Sequence, residues 1–333
     1  MSVYPIQSAT LGDVRTYPLR SRRSKVTTKD FAKVAARGAS AARFLDSLPN
    51  ILAARDLRDL AASLHAARKR KRAILWGIGG HVIKVGLAPL LIDLMDKGYV
   101  SGIAMNGAAL IHDFEIAIAG NTSEDVEAAL GKGEFGMAEE TGRGTNEVAK
   151  LAQRVRMGYG EAAGQYLTSG IVNLAAPEAS VLVCAYQRRI PVTVHLAIGT
   201  DIPHMHPSVD GAALGVASHH DFRLFCALLQ KMDSGGVYLN WGSAVLLPEV
   251  FLKAVSVARN LGIPLRSITT ANFDFIQHYR PTMNVVKRPT AGAPGKDRQP
   301  SRGFAITGHH ELLLPLLAAA LVSGWPAHAR RAK

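Results

Sequence analysis

The chain has 333 residues, 48% hydrophobic and 20% charged, the composition of an ordinary globular protein with room for one large α/β domain or two smaller ones. Its two cysteines, Cys184 and Cys226, stand in apolar segments, which excludes a disulfide framework and predicts buried thiols in a reducing cytoplasm. The formal net charge of +13 is concentrated at Arg15–Lys25, at Arg68–Arg72 and in the terminal AHARRAK; no nucleic-acid motif accompanies these runs, so a solvated face and flexible ends are expected rather than a nucleic-acid partner.

In chain order, residues 1–29 read as a basic arm without the apolar region of a signal peptide. FAKVAARGASAARFLDSL (31–48) and ARDLRDLAASLHAARKRK (54–71) carry helical periodicity. AILWGIGG (73–80) is an apolar run into glycines, followed by the helical VIKVGLAPLLIDLMDKG (82–98), the apolar YVSGIAM (99–105) and a helix opened by Asn106-Gly107. Strand, glycine turn, helix, strand, turn, helix argues for a parallel sheet with helices on its faces. Ligands of such sheets bind at the carboxyl ends of the strands, where Gly77, Gly79, Gly80, Asn106 and Gly107 are expected. The spacing of Gly77, Gly79 and Gly80 is not a clean G-x-G-x-x-G, and leaves open a phosphate cradle or a tight strand-to-helix turn.

Thr122-Ser123-Glu124-Asp125 predicts a helix start, ended by Gly131 and Gly133. Glu139 and Glu140, in a glycine-rich loop, are either cation ligands or solvated acids. A helix near Gly160–Thr168 and the periodic SVLVCAYQRR precede the strand IPVTVHLAI, which ends at Gly199-Thr200-Asp201; there Asp and Thr can bond ribose hydroxyls or a cationic substrate. His195, His204, His206, His219 and His220 raise a metal site, but prolines flank the His-x-His pair and neither a Cys pair nor H-E-x-x-H accompanies it, so no metal is assigned. Helix FRLFCALLQKM, strand SGGVYLNWGSAV, helix LPEVFLKAVSVARNLG and strand IPLRSITTANFDF follow. A long basic loop (277–303) leads to FAITGHHELLLPLLAAALV, a strand, glycine turn and helix. The apolar 312–325 is too short to span a bilayer and contains Pro315. About six strand-then-helix units result, with no repeat of fixed period.

From Trp76 to Leu317 the residues resemble the deoxyhypusine synthase family. Its first cofactor region is similar to Gly77–Gly86, Asn106-Gly107-Ala108 and His112-Asp113 with Glu115. Its Ile-Pro-Val strand ending in Leu-Thr-Asp-Gly is similar to Ile190-Pro191-Val192 through Gly199-Thr200-Asp201. Its Gly-Gly-Gly-Val strand is similar to Trp241-Gly242-Ser243-Ala244-Val245, its Ile-Asn-Thr-Ala strand to Ile268-Thr269-Thr270-Ala271, and its Phe-Pro-Leu-Leu helix to Leu314–Leu317. The stretch Gly98-Tyr99-Val100, Asn106 and His112–Glu115 also resembles the NAD-binding domain of archaeal-type ornithine cyclodeaminases. The departures concern the substrate half. Leu247-Pro248-Glu249 stands where the synthase has its catalytic histidine; Lys287, after Arg280-Pro281, is the nearest counterpart of its acceptor lysine; and Gln277-His278-Tyr279 replaces its polyamine-binding acids.

The resemblance implies an α/β, Rossmann-like doubly wound, mostly parallel sheet with helices on both faces: one deoxyhypusine synthase-like domain over 30–325, between the arm and a basic tail at 326–333. It implies an NAD-dependent, cytoplasmic homotetramer or other homo-oligomer that oxidises a small amine, with a protein lysine as an acceptor. NAD would meet Gly77, Gly79, Gly80, Asn106, Gly107, Asp113, Thr200, Asp201, Gly242, Ser243 and Thr270. Lys287 would form an imine, Glu249 stands at the catalytic histidine's position, and a proton relay would fall to His112, His204 or His278. A cyclodeaminase-like lyase, a metal-dependent hydrolase and a non-catalytic nucleotide-binding protein are the alternatives.

Overall fold

The computed structural model describes residues 3–291 and 300–326, so all of the expected tail but Pro326, and part of the loop at 277–303, lie outside the described residues. After an exposed arm, helices α1 (Ala41–Ser47) and α2 (Leu52–Lys69) lead into β1 (Ile74–Ile78). Then come α3 (Gly80–Lys84), α4 (Ala88–Asp96), β2 (Gly102–Asn106), α5 (Gly107–Ala119), α6 (Val126–Leu130), α7 (Glu139–Val155), α8 (Tyr159–Thr168) and α9 (Val181–Gln187). The second half holds β3 (Val192–His195), α10 (Gly211–Gln230), β4 (Val237–Trp241), α11 (Leu246–Asn260), β5 (Thr269–Asp274), the one-turn α12 (Tyr279–Pro281) with a π-helical continuation (Thr282–Lys287), β6 (Arg302–Thr307) and α13 (His310–Val322).

The sheet order is β3-β2-β1-β4-β5-β6, and every neighbouring pair is parallel. The chain starts in the middle, runs out to β3, returns to the far side of β1 and runs out to β6. The order therefore reverses between β1 and β4, the switch point where crevices open in such sheets. The fold is Rossmann-like.

The central strands are buried on both faces, as their continuous apolar runs require. On one face Trp76, Trp241 and Phe273 stack side by side across β1, β4 and β5, with ring centroids 6.0 Å and 3.9 Å apart. Each such pair adds about 0.5–1.5 kcal/mol beyond simple burial. The Trp76 indole N–H donates to Tyr99 O at 2.9 Å, which removes the cost of burying it. The other face packs Leu75, Ala104 and Tyr238 against Phe225 and Leu229 of α10 and Phe251 of α11. α2 buries Leu57, Leu60, Ala61, Leu64 and Ala67, the stripe its periodicity predicts.

The structure departs from the sequence reading at several points. Within 31–48 only Ala41–Ser47 is helical, since Ser40 caps that helix by accepting from Arg43 N. The segment 82–98 is two short helices separated at Val85-Gly86-Leu87. Glu139 and Glu140, expected in a glycine-rich loop, are instead the first residues of α7.

Candidate functional site

The turns that leave the carboxyl ends of β1, β2, β3 and β4 bring together Gly79, Gly80, Asn106, Gly107, Thr200, Asp201, Gly242 and Ser243. Gly79 closes the switch point. Its N–H donates to Trp241 O at 2.8 Å, and a Cβ there would lie 2.3 Å from Gly242 O, so only glycine lets the two turns touch. Gly242 takes φ +65, and a Cβ on it would lie 2.7 Å from His310 Nε2. On the opposite face Asn240 Nδ2 donates to Ser243 O and Asn272 Oδ1, and Asn272 Nδ2 donates to Gln277 Oε1 at 2.8 Å. Ser243 Oγ accepts from Leu247 N at 3.1 Å, which fixes the start of α11.

Asp201 lies against the start of α5: a Cβ on Gly107 would meet its two carboxylate oxygens at 2.3 and 2.4 Å. Burial raises its pKa, opposed by the Ala197 N–H and by His204. The positive end of the α5 dipole therefore faces a carboxylate of this chain, and Asn106 caps the same helix by accepting from Ala109 N at 2.9 Å. Thr200 is exposed and donates to Ala197 O at 2.8 Å. His204 Nδ1 accepts from Gly199 N at 3.0 Å, and its Nε2 is buried without a partner among the described residues.

His112 sits beside the β1 turn; a Cβ on Gly80 would lie 3.1 Å from its Cδ2. Its Nδ1 is 2.7 Å from Thr122 Oγ1, whose hydroxyl donates to Glu115 Oε2, while Thr141 Oγ1 donates to Glu115 Oε1 at 3.0 Å. Because Thr122 gives its hydrogen to Glu115, the neutral ring must carry its own on Nδ1, which leaves Nε2 as the acceptor. Burial lowers the pKa of His112 against the opposing pull of Glu115. Glu115 also lines a cavity of about 830 Å³ walled by Phe114, Ile118 and Tyr166. Glu124, Glu139 and Glu140 add further carboxylates there, against Arg143. Contact thus runs unbroken from His310 through Gly242, Gly79 and Gly80 to His112, Thr122, Glu115 and the cavity.

Five expected residues stand elsewhere. Gly77 lies inside β1, where a Cβ would strike Tyr238 Oη at 2.2 Å; it makes room for that ring. Asp113 is fully buried and accepts from Ser180 Oγ, Val181 N and Leu182 N at 2.6–2.9 Å, so it caps α9. Thr270 is buried near the start of β5 and donates to Val285 O at 2.7 Å. Lys287 follows at once in the π-helical segment, and Val286 O packs on Gly303 near the start of β6. Thr270 and Lys287 therefore lie towards the amino ends of β5 and β6, away from the strand ends that hold the other residues. Glu249, in the first turn of α11, pairs with Lys253 and Arg280 and accepts from Asn284 Nδ2 at 2.8 Å, an ion pair that ties the α12 segment to α11.

Of the histidines raised as a metal site, His195 and His206 have separate partners, and His220 Nδ1 is buried with none among the described residues. His195 is a core residue 3.0 Å from Thr193 Oγ1, its pKa pushed down to about 3 by burial. His206 contacts Ser208 and Glu139. Among the described residues no group of three or more His, Cys, Asp or Glu could hold a metal ion. Cys184 and Cys226 are free and buried.

Sequence reasoning missed His310. Its residue is 0% exposed, yet among the described residues neither ring nitrogen has a hydrogen-bond partner, and Nε1 of Trp241, whose ring lies 5.9 Å away, is buried and unpartnered as well. Such atoms around one strand end are the groups a polar cofactor would satisfy. The available signal was Gly308-His309-His310 directly after the last strand.

No family model matches the chain, and no curated protein matches it. Among solved structures it is similar to ArgZ, an arginine dihydrolase from the ornithine-ammonia cycle in cyanobacteria, at 17% identity over 82% of this chain and 32% of that one, with a TM-score of 0.47. AgrE in its ternary complex with ornithine and NAD+ gives 16% identity over 81% and 33%, with a TM-score of 0.48. A protein of Entamoeba histolytica provisionally named deoxyhypusine synthase gives 10% identity over 86% and 94%, with a TM-score of 0.45. The chain spans about a third of the length of ArgZ and AgrE. The fold assignment rests on the strand order.

Proposed function

We propose that the chain is an NAD-dependent enzyme that oxidises a small cationic amine. The observation that carries this reading is the switch point, where the glycine turns after β1 and β4 meet at the carboxyl ends of a β3-β2-β1-β4-β5-β6 sheet. What supports a dinucleotide there is the pair His310 and Trp241, whose buried ring nitrogens have no partner among the described residues. NAD, when bound, would supply the hydride acceptor.

The chain's own residues would bind and deprotonate the amine. An ammonium group is drawn to the carboxylates of the cavity beside α5 and α7, where Glu115 is held by two hydroxyls and forms no ion pair with Arg or Lys among the described residues. His112, neutral at pH 7 because burial holds its pKa down, presents Nε2 as a proton acceptor next to the β1 turn. Transfer of an aminobutyl group to a protein lysine is not part of the proposal, since Lys287 lies towards the amino ends of the strands, away from the candidate site; release or cyclisation of the imine, as in a lyase, is the form proposed. A homo-oligomer remains part of the reading: Ile6, Leu11, Val14 and Tyr17 of the arm are exposed and would gain from packing on a second copy.

The test is direct. Purified full-length protein is denatured and its supernatant analysed for dinucleotide by mass spectrometry, then assayed with added NAD and ornithine or spermidine for reduced nicotinamide. Dinucleotide with turnover supports the proposal; a folded protein that neither carries nor binds NAD removes it.

A further inference from the structure

Resting on the dinucleotide reading, the environment of His310 adds a specific contact. The imidazole opens α13 directly after the β6 turn and stands over Gly242 on the β4 side of the switch point. It is completely buried, and among the described residues both Nδ1 and Nε2 lack partners; Asp274 Oδ1 is 4.0 Å from Nε2, beyond hydrogen-bond reach. Leaving two such atoms dry is costly, and a leucine of similar size would be the more stable occupant if packing were the only role.

The cover is inverted. Phe275, 47% exposed, lies over the polar ring with an edge contact at 6.1 Å and stacks on His309 at 6.0 Å, and His81 closes the side at 5.6 Å. An apolar ring thus faces solvent while an imidazole is hidden beneath it. Phe275 and the exposed Ile276 belong to the loop after β5, so they can swing aside without disturbing the sheet.

The ligand chemistry follows from the ring. Burial keeps His310 neutral, with Asp274 opposing only in part, so one nitrogen bears hydrogen and the other a lone pair. An anion would satisfy only the N–H and would draw a second proton into a site that disfavours it. A carboxamide has both an acceptor and a donor and matches either tautomer. We propose that His310 hydrogen-bonds the carboxamide of the nicotinamide, and that Phe275 is the ring displaced when the dinucleotide enters.

The experiment is calorimetric titration of full-length wild type, His310→Leu and His310→Gln with NAD and with ADP-ribose, which lacks the nicotinamide. His310→Leu is expected to keep or raise the melting temperature, because it removes two unpartnered atoms. Its NAD affinity is expected to fall about tenfold, the usual cost of one lost hydrogen bond in a buried site, while ADP-ribose stays within about twofold. His310→Gln, whose amide keeps a donor and an acceptor, shows a smaller change in the same ratio and serves if the leucine variant does not fold. Equal weakening of NAD and ADP-ribose, or no change in the ratio of the two, overturns the assignment and leaves dinucleotide binding intact. A wild type that binds neither ligand removes the dinucleotide reading and this contact with it.

Discussion

At the scale of single residues, the fold gathers some of the candidates at the carboxyl ends of the strands and places others away from them. Lys287 had the right residue type but stands exposed in a π-helical segment towards the amino ends of β5 and β6. Lys287→Ala should therefore change stability by less than about 0.5 kcal/mol and leave any amine-dependent NAD reduction unchanged; a loss of turnover above tenfold would restore it to the mechanism. Gly242 is the opposite case. Its φ of +65 and the nearness of His310 make Gly242→Ala a strained substitution, expected to cost about 1–3 kcal/mol in urea unfolding. Glu249 looked catalytic by position, and its carboxylate is held down chiefly by Lys253, in a surface pair of small energetic weight.

Among the elements, the strands were the most legible. AILWGI, IPVTV and GVYLNW are continuous apolar runs because both faces of their strands are covered, and that pattern survives in any packing of the helices. α7 was hidden because Gly142 and Gly144 depress its helix propensity; those glycines instead let the helix press on the rings of His206 and Phe114. Asp113 shows the limit of motif reading. In the sequence it sits in a His-Asp-x-Glu that suggests a cofactor contact, but its i+6 position on α5 turns it inward to cap α9, sixty-eight residues away along the chain from Val181. Asp113→Ala strands three donors and should cost on the order of 2–4 kcal/mol of stability; a loss below about 0.5 kcal/mol would show that the cap carries no weight.

For the whole molecule, buried carboxyls couple the fold to pH. Burial pushes Asp221 up to about 7, although it accepts from Val194 N and Gly160 N and so joins α10 to β3 and α8. A raised pKa means that the folded state holds a proton the unfolded chain has released. Its contribution is full below the unfolded value near 3.8 and is lost as pH rises towards 7. The stability of wild type relative to Asp221→Asn should therefore decline between these limits and level off above them; a difference that grows with pH would contradict the burial argument. The same sheet order that buries these acids also sets the switch point on which the functional account stands. That account is tested most directly by titrating the intact, folded protein with NAD in a calorimeter. It predicts saturable binding at a single site per chain that weakens in His310→Leu; a folded protein that releases no heat and protects no dinucleotide would contradict it.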